Sequence, residues 1–144
     1  MAHVTLNHAK LTLEGAEAAL VAAKAHAVKI GVPMNIAVVD DGGHLFAFAR
    51  MDGAKPSSID IAINKAHASA IRRQATGPAR SGDEVSLLLS LGLAIGSKAQ
   101  QTPMRGGVPL EANGEIVGAI GVSAGSEDQD VAVALAGAAA FGKA

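Results

Sequence analysis

The stretch MRGGVPLEANGEIVGAIGVS, Met104 to Ser123, decides the fold. Two extended runs, Val108–Ala112 and Glu115–Val122, flank Asn113-Gly114. An Asn-Gly pair between strand-like runs signals a two-residue hairpin, because both central residues of a type I′ turn need positive φ. The second run mixes small and β-branched residues, with Gly118 and Gly121 inside it. Glycine weakens a strand unless another backbone or a ligand comes close. The pattern therefore predicts a central strand with something pressed against it.

Outward from that hairpin, the upstream half carries a second one. Met34–Asp40 (MNIAVVD) reads as a buried strand, Asp41-Gly42-Gly43 as a turn, and His44–Arg50 (HLFAFAR) as an alternating strand. Before it, Leu13, Ala16, Leu20, Ala23, Ala27 and Ile30 recur at helical spacing. Thr12 is placed to cap that helix, and Gly31 and Pro33 to end it. Residues 1–11 read as a flexible N-terminal segment, and 12–144 as a single domain. Pro56 and Ser57 open a second helix, with Ser57 and Asp60 as a capping box and Ile59, Ile63, Ala66 and Ala70 as its apolar face. Lys65 falls on the opposite face, and Gly77-Pro78 breaks the helix. Ser81 with Glu84 predicts a short helix through Leu89, and Leu91–Thr102 reads mostly as loop. Ser126 and Gln129 form a capping box for a last helix, Val131–Phe141. Two hairpins imply an antiparallel sheet. Both sheet faces read as apolar, so helices cover both, giving a three-layer α-β-α sandwich of α/β (α+β) class.

Composition narrows the function classes. The 144 residues carry a net charge of −1, which leaves no footprint for nucleic acid or an anionic membrane. No cysteine is present, so disulfides, thiolate metal sites and thiol catalysis are excluded. No long apolar segment appears near the start, so a cytoplasmic location is expected. Hydrophobic residues make up 49% of the chain, aromatics only 2%, and there are 17 glycines. Small side chains bury little area each, so subunit contacts are expected to add stability, and a homo-oligomer is predicted.

Several separated motifs together resemble the GlcG/HbpS-like family: VVDDGGHLFAFARMDGA (38–54), Asn64-Lys65-Ala66, GGVPLEANGEIVGAIGVS (106–123) and Gln129-Asp130. The resemblance covers the chain from Thr12 onward. It implies a profilin-like fold with a five-stranded antiparallel sheet and helices on both sides. It also implies assemblies from dimers up to octamers. Haem is the ligand it points to, with relatives among the C-terminal domains of PduO-type adenosyltransferases. In haem-binding relatives a helix histidine can hold the iron, so the resemblance makes His26 the candidate axial ligand.

The candidate site residues support two chemistries. Arg50 carries a planar fork suited to a carboxylate, and Gly106-Gly107 offers bare backbone N–H groups. If the hairpins are neighbours, these converge on one cleft. The bland alternative pairs Arg50 with Asp52 and leaves the glycines as a turn. For haem, Arg50 or Lys65 would meet the propionates, with His26 on the iron. For a cofactor-independent enzyme of tautomerase or hydrolase type, Arg50 would orient an anionic organic acid near Gly106-Gly107, and Asp52 or His44 would move a proton. Lys65 alternatively belongs to a salt bridge, His44 to a solvated turn and His67 to the structure. No dedicated metal cage, P-loop or serine triad is visible.

Overall fold

A computed structural model describes residues 2–141; Met1 and the last three residues of the 12–144 domain, 142–144, lie outside the described residues. The elements in order are α1 (Leu13–Ile30), β1 (Asn35–Asp40), β2 (Leu45–Arg50), a 3₁₀ turn (Pro56–Ser58), α2 (Ile59–Arg72), β3 (Arg80–Ser81), β4 (Glu84–Val85), α3 (Leu87–Gly96), β5 (Gly107–Ala112), β6 (Glu115–Ser123) and α4 (Glu127–Ala140).

The deciding hairpin forms as its residues predict. Asn113 and Gly114 both take positive φ, 52° and 79°, and β5 pairs antiparallel with β6. β6 also pairs antiparallel with β1, and β1 with β2, giving the order β2-β1-β6-β5. The main sheet thus has four strands, not the expected five. The remaining pair, β3 and β4, forms a separate two-residue ribbon. It occupies the place where Ser81 and Glu84 had suggested a capping box. The two residues face each other across the ribbon instead. Helix α3 starts later, capped by Ser86 Oγ accepting from Leu89 N, and takes in the Leu91–Gly96 segment expected as loop.

Three layers are present. Helices α1 and α4 pack together on one face of the sheet, and α2 covers the other. Ala16, Ala19, Ala23 and Ala27 of α1 meet Ile36, Val38, Ile120 and Val122 of the sheet and Val133 of α4. On the opposite face Ala62, Ala66 and Ala70 meet Ala37, Val39 and Ala119. This buried stripe of α2 consists of the small residues; Ile59 and Ile63 are only half-buried. The helix lies close because Gly107 and Gly121 stand opposite each other across β5 and β6. A Cβ on Gly121 would fall 2.2 Å from Ala62 O and 2.4 Å from Ala66 N. One on Gly107 would fall 2.3 Å from Lys65 O. At Gly121 the pressed element predicted from the glycines of β6 is the backbone of α2, whereas a Cβ on Gly118 would meet Val39 O of β1 and the Leu11 side chain.

Helix ends follow local chemistry with one exception. Thr12 accepts from Gly15 N, Gly31 closes α1 in the left-handed region, and Ser126 and Gln129 complete their capping box. At α2 the Ser57–Asp60 box does not form: Pro56–Ser58 is a 3₁₀ turn, and the N-cap Ser58 makes no side-chain cap bond. The helix ends at Arg72, with Arg73 left-handed, before Gly77-Pro78 is reached. The N-terminal segment lacks regular structure, yet its end is anchored: Leu11 is in the core, Ala9 N donates to Glu115, and Lys10 pairs with Asp41.

Candidate functional site

The strand order separates the residues expected to share a cleft. Arg50 ends β2 at one edge of the sheet, and Gly107 begins β5 at the other. Three strand spacings lie between them, roughly 15 Å. β1 and β6 fill the interval, with Asn35 aligned to both Arg50 and Ser123. The hairpins are neighbours, but through their inner strands, so the cleft joining Arg50 to Gly106-Gly107 does not form within one chain. His44 is separated as well. It precedes β2 while Arg50 ends it, about 20 Å away along an extended strand.

The Gly107 amide is not bare. Gly106 and Gly107 are buried. Gly107 N donates to Thr76 Oγ1 at 2.8 Å, Thr76 N donates to Gly107 O, and Val122 N donates to Gly106 O. Gly106 sits at φ +124°, where a Cβ would meet Val122 O at 2.8 Å and Lys65 Nζ at 3.0 Å. These glycines admit α2 and a lysine rather than an anion.

Lys65 points inward. Its side chain is 2% exposed, and Nζ donates to Asp130 Oδ2 at 2.8 Å and to Val122 O at 2.9 Å. Asp130, 4% exposed, also accepts from Gly125 N through Oδ1. Burial pushes the Asp130 carboxyl above its ordinary value, against the opposing pull of Lys65 and the Gly125 N–H. The salt-bridge alternative for Lys65 is the one realised, and the pair ties α2, β6 and the start of α4 together. A propionate has no access to this cation. The available signal was Lys65 standing as the only charged side chain in IAINKAHASA, 61–70. Nothing local named its partner 65 residues away.

The histidines take three different places. His44 is exposed, and its Nδ1 lies 3.2 Å from Asp40 Oδ1. That same oxygen accepts from Gly42 N and His44 N, building the β1–β2 turn. Burial alone would raise the Asp40 carboxyl, but these backbone bonds and the His44 ring outweigh it and hold it below the usual value. His67 is structural, its Nδ1 2.9 Å from Gly43 O. His26 is half-buried on α1 and makes no hydrogen bond among the described residues. Among the described residues Asn35 Oδ1 is buried without a partner, while its Nδ2 donates to Lys55 O.

Arg50 and Asp52 do meet other residues. They line an open groove of about 540 Å³ between α1 and the end of β2, with Val21, Lys24, Ala25, Val28, Ala49 and Met51. Its walls are aliphatic, and it carries two cations, Lys24 and Arg50. Neither has an ion-pair partner among the described residues, and no cluster of metal-binding side chains occurs there. Lys24, which sequence reading passed over, belongs here because it lies one turn from Val21 and Val28 on α1. His26 does not share the groove, since two residues along a helix is a turn of about 200°. A larger hollow, about 860 Å³, lies between residues 5–10 and the β5–β6 turn and holds none of the expected site residues.

A four-stranded antiparallel sheet thus lies between a helix pair and a single helix, with GGVP opening one hairpin and Gln129-Asp130 in the first turn of the last helix. The model of a family described as "Haem degrading protein HbpS-like" matches residues 11–139. The chain belongs to this family. It is 37% identical to the protein GlcG of Escherichia coli strain K12 over 113 residues, covering 78% of this chain and 81% of GlcG. Among solved structures it is similar to the Klebsiella pneumoniae protein ORFY, with a TM-score of 0.85, 30% identity and 98% and 97% of the two chains covered. The PduOC–haem complex gives a TM-score of 0.81 at 26% identity, covering 92% of this chain and 95% of that one.

Proposed function

We propose that this protein binds haem or a closely related tetrapyrrole on the surface of α1. The carrying observation is the groove between α1 and β2, where Val21, Ala25, Val28 and Met51 offer apolar wall and Lys24 and Arg50 offer cations. An amphipathic ring with two carboxylates asks for that combination. Family membership and the similarity to a protein solved with haem support the same reading.

His26 is the proposed iron ligand, its imidazole free of other partners among the described residues. Because it faces away from Lys24, one haem held within a single chain uses either His26 or the groove cations, not both. Haem brings redox and ligand-binding chemistry at its iron; the chain's part is to bury the ring edge and neutralise the propionates. Assembly into a homo-oligomer belongs to the same proposal, and a partner copy would bring further apolar wall to the exposed side of α1.

Titration of the purified protein with hemin tests the reading. A shifted Soret band that is lost in His26→Ala supports histidine ligation. A shifted band that persists in His26→Ala but weakens about tenfold or more in Lys24→Ala/Arg50→Ala supports the groove. No Soret shift, or a shift indifferent to all three substitutions, overturns the proposal. The enzyme reading, with Arg50 orienting an acid near Gly106-Gly107, has no single-chain cleft to support it.

A further inference from the structure

Helix α2 lies over β1, β6 and β5 and leaves the edge strand β2 largely uncovered on that side. Leu45 stands opposite Val39 and Phe48 opposite Ala37, and both Val39 and Ala37 face α2. A β-bulge between these pairs makes Phe46 the extra residue. Bulges recur at sheet edges and beside active sites, where they re-aim a side chain. Leu45 is 54% and Phe46 37% exposed, and Phe48 is half-buried. No charged residue occurs from Leu45 to Ala49, and two of the chain's three phenylalanines are here. The result is a flat apolar shelf with the flank of α2 as its wall. Ala47 of the same strand packs the other way, toward α1.

His67 stands on that flank, one turn beyond Ile63, which packs against the same core cluster as Phe48. Its Nδ1 lies 2.9 Å from Gly43 O, in the turn that leads into β2. A carbonyl oxygen only accepts, so Nδ1 carries the proton and the neutral ring keeps its lone pair on Nε2. Nε2 makes no hydrogen bond among the described residues, and it is not walled in: the buried side-chain atom left without a partner among them is Asn35 Oδ1. Gly43 also fits closely against the ring, since a Cβ there would clash with it. An imidazole with one nitrogen tied to a backbone carbonyl and the other presented free is the arrangement of metal-ligating histidines. No group of three or more metal-binding side chains occurs among the described residues, so a bare ion would find too few ligands. A single nitrogen beside a flat apolar shelf suits a metal already carried in a flat apolar ring. We propose that His67 ligates the iron of a second haem, whose ring lies against Leu45, Phe46 and Phe48. This inference rests on the haem reading above, but it names another residue and the opposite side of the sheet.

Hemin titration of the full chain, followed by the Soret band and by the number of hemins bound per chain, tests it. Wild type should take up two. His67→Asn keeps a side-chain N–H for Gly43 O and removes Nε2, so far-UV circular dichroism should be unchanged while one hemin is lost or bound about tenfold or more weakly. Phe46→Asp changes a partly exposed shelf residue and should weaken the same hemin about tenfold while leaving the other. It decides the matter alone if His67→Asn fails to fold. Iron-free protoporphyrin should bind wild type and His67→Asn alike; a tenfold loss there would mean that Nε2 meets the ring and not the iron, and overturns the proposal. A wild type that binds a single hemin, with His67→Asn and Phe46→Asp indistinguishable from it, overturns this inference and leaves the haem reading standing. A single hemin lost in His67→Asn and untouched by His26→Ala supports His67 and removes the α1 surface instead. No Soret shift in any chain overturns the haem reading, and this inference with it.

Discussion

Replacing Lys65 by Met should remove a large part of this domain's stability. The substitution keeps an unbranched stem and deletes only the charge. Asp130 then stays 4% exposed with the Gly125 N–H as its one remaining donor, and Val122 O loses the ammonium 2.9 Å away. Breaking a buried ion pair by removing one partner costs about 3–5 kcal/mol. A domain of this size holds about 5–15 kcal/mol in total, so Tm should fall on the order of 10 °C. Removing both charges, in Lys65→Met/Asp130→Leu, leaves two neutral backbone groups unpaired at about 1–3 kcal/mol each. The double variant should therefore be more stable than the sum of the two single losses predicts, by about 2 kcal/mol or more. Urea unfolding at pH 7 measures all four corners of the cycle.

The same pair gives a pH dependence with a definite sign. Burial, the largest influence, raises the Asp130 carboxyl in the folded chain above its unfolded value. A raised carboxyl contributes most to stability at low pH, and the contribution is lost as pH rises through the folded value. Lys65 works against the rise, so its removal raises the carboxyl further. The Lys65→Met penalty should shrink as the pH is lowered from 7 toward 4. A penalty under about 1 kcal/mol at pH 7, strict additivity in the cycle, or a penalty that grows on acidification would refute the argument.

Two further outcomes follow from packing and from the β1–β2 turn. Gly121→Ala places a Cβ 2.2 Å from Ala62 O, a backbone atom that moves only with α2, so a loss of about 3 kcal/mol or more, or failure to fold, is expected in chemical melts. Asp40→Ala should cost about 1 kcal/mol at pH 7, because three bonds to one oxygen are lost. The folded Asp40 carboxyl is lowered, so its stabilisation is present above the unfolded value and lost as pH falls through the folded one. The gap between wild type and variant should narrow in urea melts as pH is lowered below the ordinary aspartate range, and a gap that does not narrow on acidification would count against the turn as its source.

Much of the fold was legible residue by residue. Asn113-Gly114 set a turn, Ser126 with Gln129 set a helix start, and Gly31 set a helix end, because each depends on φ or on a hydrogen bond within about four residues. Membership of the HbpS-like family was legible too, from motifs spread along the chain. The failures share a cause. Ser81 and Glu84 satisfy a capping rule but pair across a ribbon, and the branched face of α2 yields to the small one because paired glycines on the sheet admit its backbone.

For the site, the identities of Arg50, Lys65 and Gly106-Gly107 stood out in sequence, and their company did not. Local chemistry dictates what a residue offers: a guanidinium, a bare amide, an ammonium in an alanine helix. Strand order dictates what it meets, and that order comes from the total burial of two faces, a sum over residues far apart in the chain. It put Arg50 beside Lys24, delivered Lys65 to Asp130, and closed Gly107 with Thr76. It also brought His67 to the turn that leads into β2.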